Sequence, residues 1–84
     1  MNKGERLLAR MRATKAGWGQ KDFEELYTRF GFMYEEGGLH RLYYHPRHPH
    51  LRTTVGRHND LAKGYAAKAV RLIDELKRLE GADE

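Results

Sequence analysis

Eighty-four residues make one small domain, which buries only about 60–65% of the surface its unfolded chain exposes. The absence of cysteine excludes disulfides, thiolate nucleophiles and cysteine metal ligands. The net charge is +4, yet from Gly37 to Arg71 seven basic residues meet one acid, Asp60, and all five histidines fall in that stretch. A field of one sign on part of a small domain suits a polyanion such as nucleic acid.

In chain order, residues 4–12 place Leu7, Leu8 and Met11 at helical spacing, a short helix whose narrow apolar face must dock to stay folded. Residues 14–19 break it, with Trp18 as an anchor against the body of the domain. Over residues 20–30, Phe23, Leu26, Tyr27 and Phe30 define an amphipathic helix, and Gly31 suits its left-handed C-cap. Short strands are then expected over residues 32–35, 39–45 and 51–56, with a turn at Gly37-Gly38 and a hairpin loop at Pro46–Pro49. Asn59 or Asp60 can cap a final helix reaching about Leu79, with Ala69, Val70, Ile73 and Leu76 in its inner stripe.

The pattern predicts an α+β domain: a three-stranded antiparallel sheet covered on one face by two helices (α-β-β-β-α), preceded by an N-terminal helical extension. Within this single domain, residues 1–17 are read as the helical arm, 18–79 as the core and 80–84 as a frayed tail. No apolar run approaches the ~20 residues of a membrane span, and the N-terminus lacks a secretory apolar core, so a soluble cytoplasmic protein is expected.

Three explanations compete for the histidines. His45, His48 and His50 crowd six residues, as metal ligands do, but no Asp or Glu between Gly37 and Asn59 could orient an imidazole; they are read as loop residues, with no metal and no cofactor expected. His40 differs, because it follows the Gly37-Gly38 turn, where a phosphate backbone can come close. With Arg41 beside it and Arg52 and Arg57 on a neighbouring strand, His40 is the candidate general base for RNA cleavage. In that chemistry the 2′-hydroxyl is the internal nucleophile, and arginines offset charge on the phosphorane. Lys63, Lys68 and His58 are candidates for holding the RNA backbone. Tyr34, Tyr43 and Tyr44 could stack on unpaired bases. Strand alternation puts His40, Leu42 and Tyr44 on one face and Leu39, Arg41 and Tyr43 on the other. Leu42 favours the first set as the core face, which turns His40 inward unless the glycine turn or a bulge interrupts the alternation.

From Trp18 to Leu76 the chain resembles the HicA family of bacterial toxin–antitoxin systems. The residues that carry the likeness are Gly31-Phe32, Gly37-Gly38-Leu39-His40, Tyr43-Tyr44-His45-Pro46, Thr53 to His58, and Leu61 to Gly64 with the helix that follows. Residues 11–18 are also similar to the longer-armed members. The resemblance implies a fold like that of double-stranded-RNA-binding domains, metal-independent mRNA endoribonuclease activity, neutralisation by a HicB-type antitoxin, and His40 at the family's histidine position. Leu39 stands where the family has a small hydroxyl residue. Two other classes fit the same residues: a non-catalytic RNA-binding module, and an interaction protein whose basic face serves an acidic partner.

Overall fold

The computed structural model describes residues 2–81. Its elements are α1 (Lys3–Ala13), α2 (Gln20–Arg29), β1 (Met33–Glu36), β2 (His40–His45), β3 (His48–Gly56) and α3 (Lys63–Gly81). The strands form one antiparallel sheet in the order β1-β2-β3. Helices α2 and α3 pack on one face of it, and α1 packs against those helices. The predicted α+β architecture is therefore present, and α1 is part of the same core: Leu7, Leu8 and Met11 are buried with Phe23, Leu26, Ala69 and Ile73. No helix among the described residues is long and apolar enough to cross a membrane.

Local chemistry explains the helix ends. The Asn2 side chain accepts the Glu5 backbone N–H at 2.8 Å, capping α1. At the start of α2, Asp22 reaches back to accept the Gly19 N–H at 2.8 Å. The same helix ends in a Schellman turn, in which Phe32 N–H bonds Tyr27 C=O and Gly31 N–H bonds Thr28 C=O. Gly31 stands there at φ +88°, as expected of a left-handed cap. Trp18 anchors the preceding break: its indole N–H donates to Thr14 C=O at 2.7 Å and Arg10 lies over its ring.

Three expectations need correction. The connection between β2 and β3 is only Pro46-Arg47, and β3 begins at His48. Pro49 is tolerated because β3 is an edge strand, and the register slips there: His45 pairs with His48, whereas Tyr44 pairs with Arg52. Helix α3 begins at Lys63, not directly after Asn59 or Asp60, because residues 58–61 are tied to the start of α2. In that tie Gln20 N–H bonds His58 C=O at 2.8 Å and Leu61 N–H bonds Trp18 C=O at 2.9 Å. Residues 80 and 81, read as part of a frayed tail, are helical, and residues 82–84 lie outside the described residues.

The largest correction concerns the sheet face. Along β2, Arg41, Tyr43 and His45 are buried, while His40 is exposed and Leu42 and Tyr44 are half-buried. Aromatic volume outweighs Leu42: Tyr43 stacks on Tyr27 with ring centroids 4.8 Å apart, and Tyr27 meets Phe32 at 5.0 Å. His40 consequently points away from the helices.

Candidate nucleic-acid interface

Alternation along β2 puts His40 on the open sheet face, and the turn before it fixes where the strand begins. Gly37 N–H donates to His40 C=O at 3.0 Å, closing the β1–β2 connection. A Cβ on Gly37 would stand 2.6 Å from that same carbonyl oxygen, so only glycine allows this approach. Arg57 clamps the turn from the other side, donating to Gly37 C=O at 2.9 Å and pairing with Glu36. Leu39, at the tip, is 81% exposed.

The side chain of His40 lines a hollow of about 370 Å³ with Glu35, Leu42, Leu39 and Thr54. Glu35 pairs with Leu42 across β1 and β2, which makes it the diagonal neighbour of His40. Such diagonals are about 7–8 Å apart at Cα and within reach of long side chains. Two further hollows adjoin the first. One, of about 310 Å³, shares Glu35 and Leu42 and adds Tyr44, Pro49 and Arg52. The other, of about 290 Å³, shares Thr54 and continues around the β3 edge past Thr53 to Gly64, Tyr65 and Lys68 at the start of α3. Together they trace a shallow path with His40 near its middle.

The predicted site residues separate into two groups. His40 and Arg52 share the open face, Lys68 lines the far end of the path, and Lys63 is exposed at the first turn of α3. Arg52, Lys63 and Lys68 form no ion pair among the described residues. His58 is exposed in the loop after β3, its carbonyl held by α2.

Arg41 belongs elsewhere. It points to the helix side, 8% exposed, with one guanidinium nitrogen 2.7 Å from Glu24 and another 2.5 Å from Glu36. Its guanidinium also lies 4.1 Å from the Tyr34 ring centroid and donates to the Tyr43 hydroxyl at 3.1 Å. Burial by itself lowers the Arg41 pKa, but the hydrogen bonds to Glu24 and Tyr43 outweigh it and hold the group above its ordinary value. Burial raises the Tyr43 pKa, opposed by the Arg41 hydrogen bond. Arg41 is thus a fold residue on the face opposite His40, and Arg57 holds the glycine turn. Tyr43 is core, Tyr34 stacks on Arg41, and only Tyr44 of the three tyrosines faces the open side.

His45 also departs from expectation. It is wholly buried rather than in a loop, with Nδ1 accepting the Arg47 N–H at 3.2 Å and Phe32 edge-on at 5.2 Å. Burial first, and the nearby Arg47 charge second, hold its pKa below the usual histidine value.

Glu35 was missed by sequence reasoning. Its signal was the strand register, which no residue pattern displays before β1 and β2 are aligned. No family model, curated protein or solved structure matches the chain.

Proposed function

We propose that the protein is a HicA-like, metal-independent endoribonuclease that cleaves mRNA with His40 as general base. The observation that carries this reading is the exposed His40 in an open hollow beside a glycine turn, on a sheet face that also presents Tyr44 and Arg52. An RNA strand laid along the three hollows brings phosphates to Arg52 and Lys68 and a base to Tyr44. His40 takes the 2′-hydroxyl proton as that oxygen attacks phosphorus, the 5′-oxygen leaves with a proton from solvent, and a 2′,3′-cyclic phosphate remains. Glu35 is a positioning residue, its carboxylate receiving the imidazolium that forms. No cofactor enters this scheme.

A second reading has its own observation. Leu39 is 81% and Met33 52% exposed. Leu39 lines the His40 hollow, and Met33 is paired with Tyr44 at the β1–β2 margin of the sheet. Apolar exposure there suits a protein partner, in the first place a HicB-type antitoxin that covers His40. If no cleavage occurs, the same face serves a non-catalytic RNA-binding module.

The test is cleavage of a defined RNA by the purified chain in the presence of a chelator, against the same RNA with 2′-deoxy substitution at the cut site. Cleavage of the first to a cyclic phosphate end, and none of the second, is expected. Equal cleavage of both would exclude the 2′-hydroxyl mechanism, and cleavage of neither would leave the binding-module reading.

A further inference from the structure

At the opposite end of β2 from His40, the tight Pro46-Arg47 turn sets His45 and His48 across from each other, with ring centroids 5.3 Å apart. The last turn of α3 brings Glu80 to the same place. One donor atom from each of His45, His48 and Glu80 lies within 4.8 Å of the others. No carboxylate neighbours these histidines in sequence; the fold supplies one from 32 residues away, His48 Nε2 lying 3.3 Å from Glu80 Oε2.

We infer that His45, His48 and Glu80 form a binding site for a divalent transition metal, of which zinc best fits two imidazoles and one carboxylate. Zinc takes nitrogen and oxygen donors at about 2.0–2.2 Å in tetrahedral array, which sets neighbouring donors roughly 3.3 Å apart. The His48–Glu80 pair already has that separation, and a closure of the His45 ring by an ångström or so completes a three-ligand face. Water takes the fourth position.

A second observation points the same way. His45 is completely buried, and its Nε2 has no hydrogen-bond partner, a costly state for a polar atom in the interior. With Nδ1 accepting the Arg47 N–H, the neutral ring carries its proton on Nε2, so ligation through Nε2 requires that proton to move to Nδ1 and the Arg47 N–H to be released. The groups that face the cluster are Arg47 from the turn, Glu80 from α3 and, more distantly, His50, whose ring lies 6.3 Å from that of His48. Arg47 now holds Glu80 Oε2 through Nε at 2.9 Å and Nη2 at 2.5 Å. The guanidinium and the cation compete for one carboxylate, so Arg47 must release that oxygen when metal binds. The bound ion ties the β2–β3 turn to the end of α3, and this clasp requires nothing of the sheet face that carries His40.

The experiment is a zinc chloride titration of the full chain without a histidine tag, followed by calorimetry and by thermal melting. One zinc per chain is expected, with the melting temperature raised on the order of 10 °C at a hundredfold excess over the dissociation constant. His48→Ala and Glu80→Gln, both at partly exposed positions, should weaken binding at least tenfold, while His50→Ala keeps wild-type affinity. No saturable binding would overturn the site. So would variants His48→Ala and Glu80→Gln that bind as tightly as wild type, or a loss in His50→Ala equal to that in His48→Ala, which would indicate unspecific histidine binding.

Discussion

His40 and Arg41 are chain neighbours with opposite fates, and alternation along β2 separates them. His40 is exposed on the open face; Arg41 is buried between Tyr34, Glu24 and Glu36. Arg41→Ala should therefore lower stability, by about 1–3 kcal/mol because it strips polar partners in a half-dry site, and leave RNA affinity almost unchanged. Denaturant melts beside a binding titration check both halves of that statement. Gly37→Ala tests the turn. Its methyl would sit 2.6 Å from the His40 carbonyl, so the strand must shift, and both the melting temperature and any cleavage rate should fall. The sequence displayed His40 as the candidate but favoured the wrong face for it. Leu42 by its residue type suits a core position, but the stack of Tyr43 on Tyr27, a long-range contact, sets the core face.

At the scale of elements, α2 was legible almost residue by residue, because its apolar spacing, acidic first turn and Gly31 cap all agree. The β2–β3 hairpin was not. Two prolines within four residues read as a loop, yet Pro49 lies in an edge strand, where a missing N–H costs no ladder bond. The start of α3 was missed by a few residues for a tertiary reason, the backbone bonds that tie residues 58–61 to α2. Helix α1 is held to α3 partly by Arg12, which grips both oxygens of Asp74 at 2.9 and 2.8 Å. That hydrogen bond holds the Asp74 carboxyl below its usual value of 3.8. A carboxyl with a depressed folded-state pKa adds stability that is fully present above the unfolded value and disappears as pH falls through the folded one. Wild-type protein should lose this contribution below about pH 4, and Asp74→Asn should lack it at every pH. The pair is about half exposed, so screening keeps the effect under about 1 kcal/mol. Thermal melts of both proteins between pH 3 and pH 7 measure it.

For the whole molecule, the basic middle of the sequence overstated the free positive field. Arg41, Arg47 and Arg57 are neutralised by Glu24, Glu36 and Glu80, acids that lie outside that stretch and reach it only in the fold. Three of the proposed contacts, Arg52, Lys63 and Lys68, remain without ion pairs among the described residues. RNA affinity should then fall by about 2 log units per decade of salt, from ~0.7 per contact on a single strand. A slope near zero would remove the basic path from the account. The α+β architecture followed from residue patterns because each element is locally consistent; the Glu35–His40 diagonal and the His45–Glu80 meeting depend on register and chain return, which local patterns do not encode.

The most direct test of the central claim compares the RNA cleavage rate of His40→Ala with wild type, alongside melting temperature and RNA affinity. His40 is exposed and makes no side-chain hydrogen bond among the described residues, so its truncation should leave fold and binding nearly intact. Loss of a positioned general base should reduce the rate by about 10²–10⁴-fold. A His40→Ala protein that cuts RNA at the wild-type rate would contradict the assignment, and one that unfolds would contradict the placement of His40 on the open face.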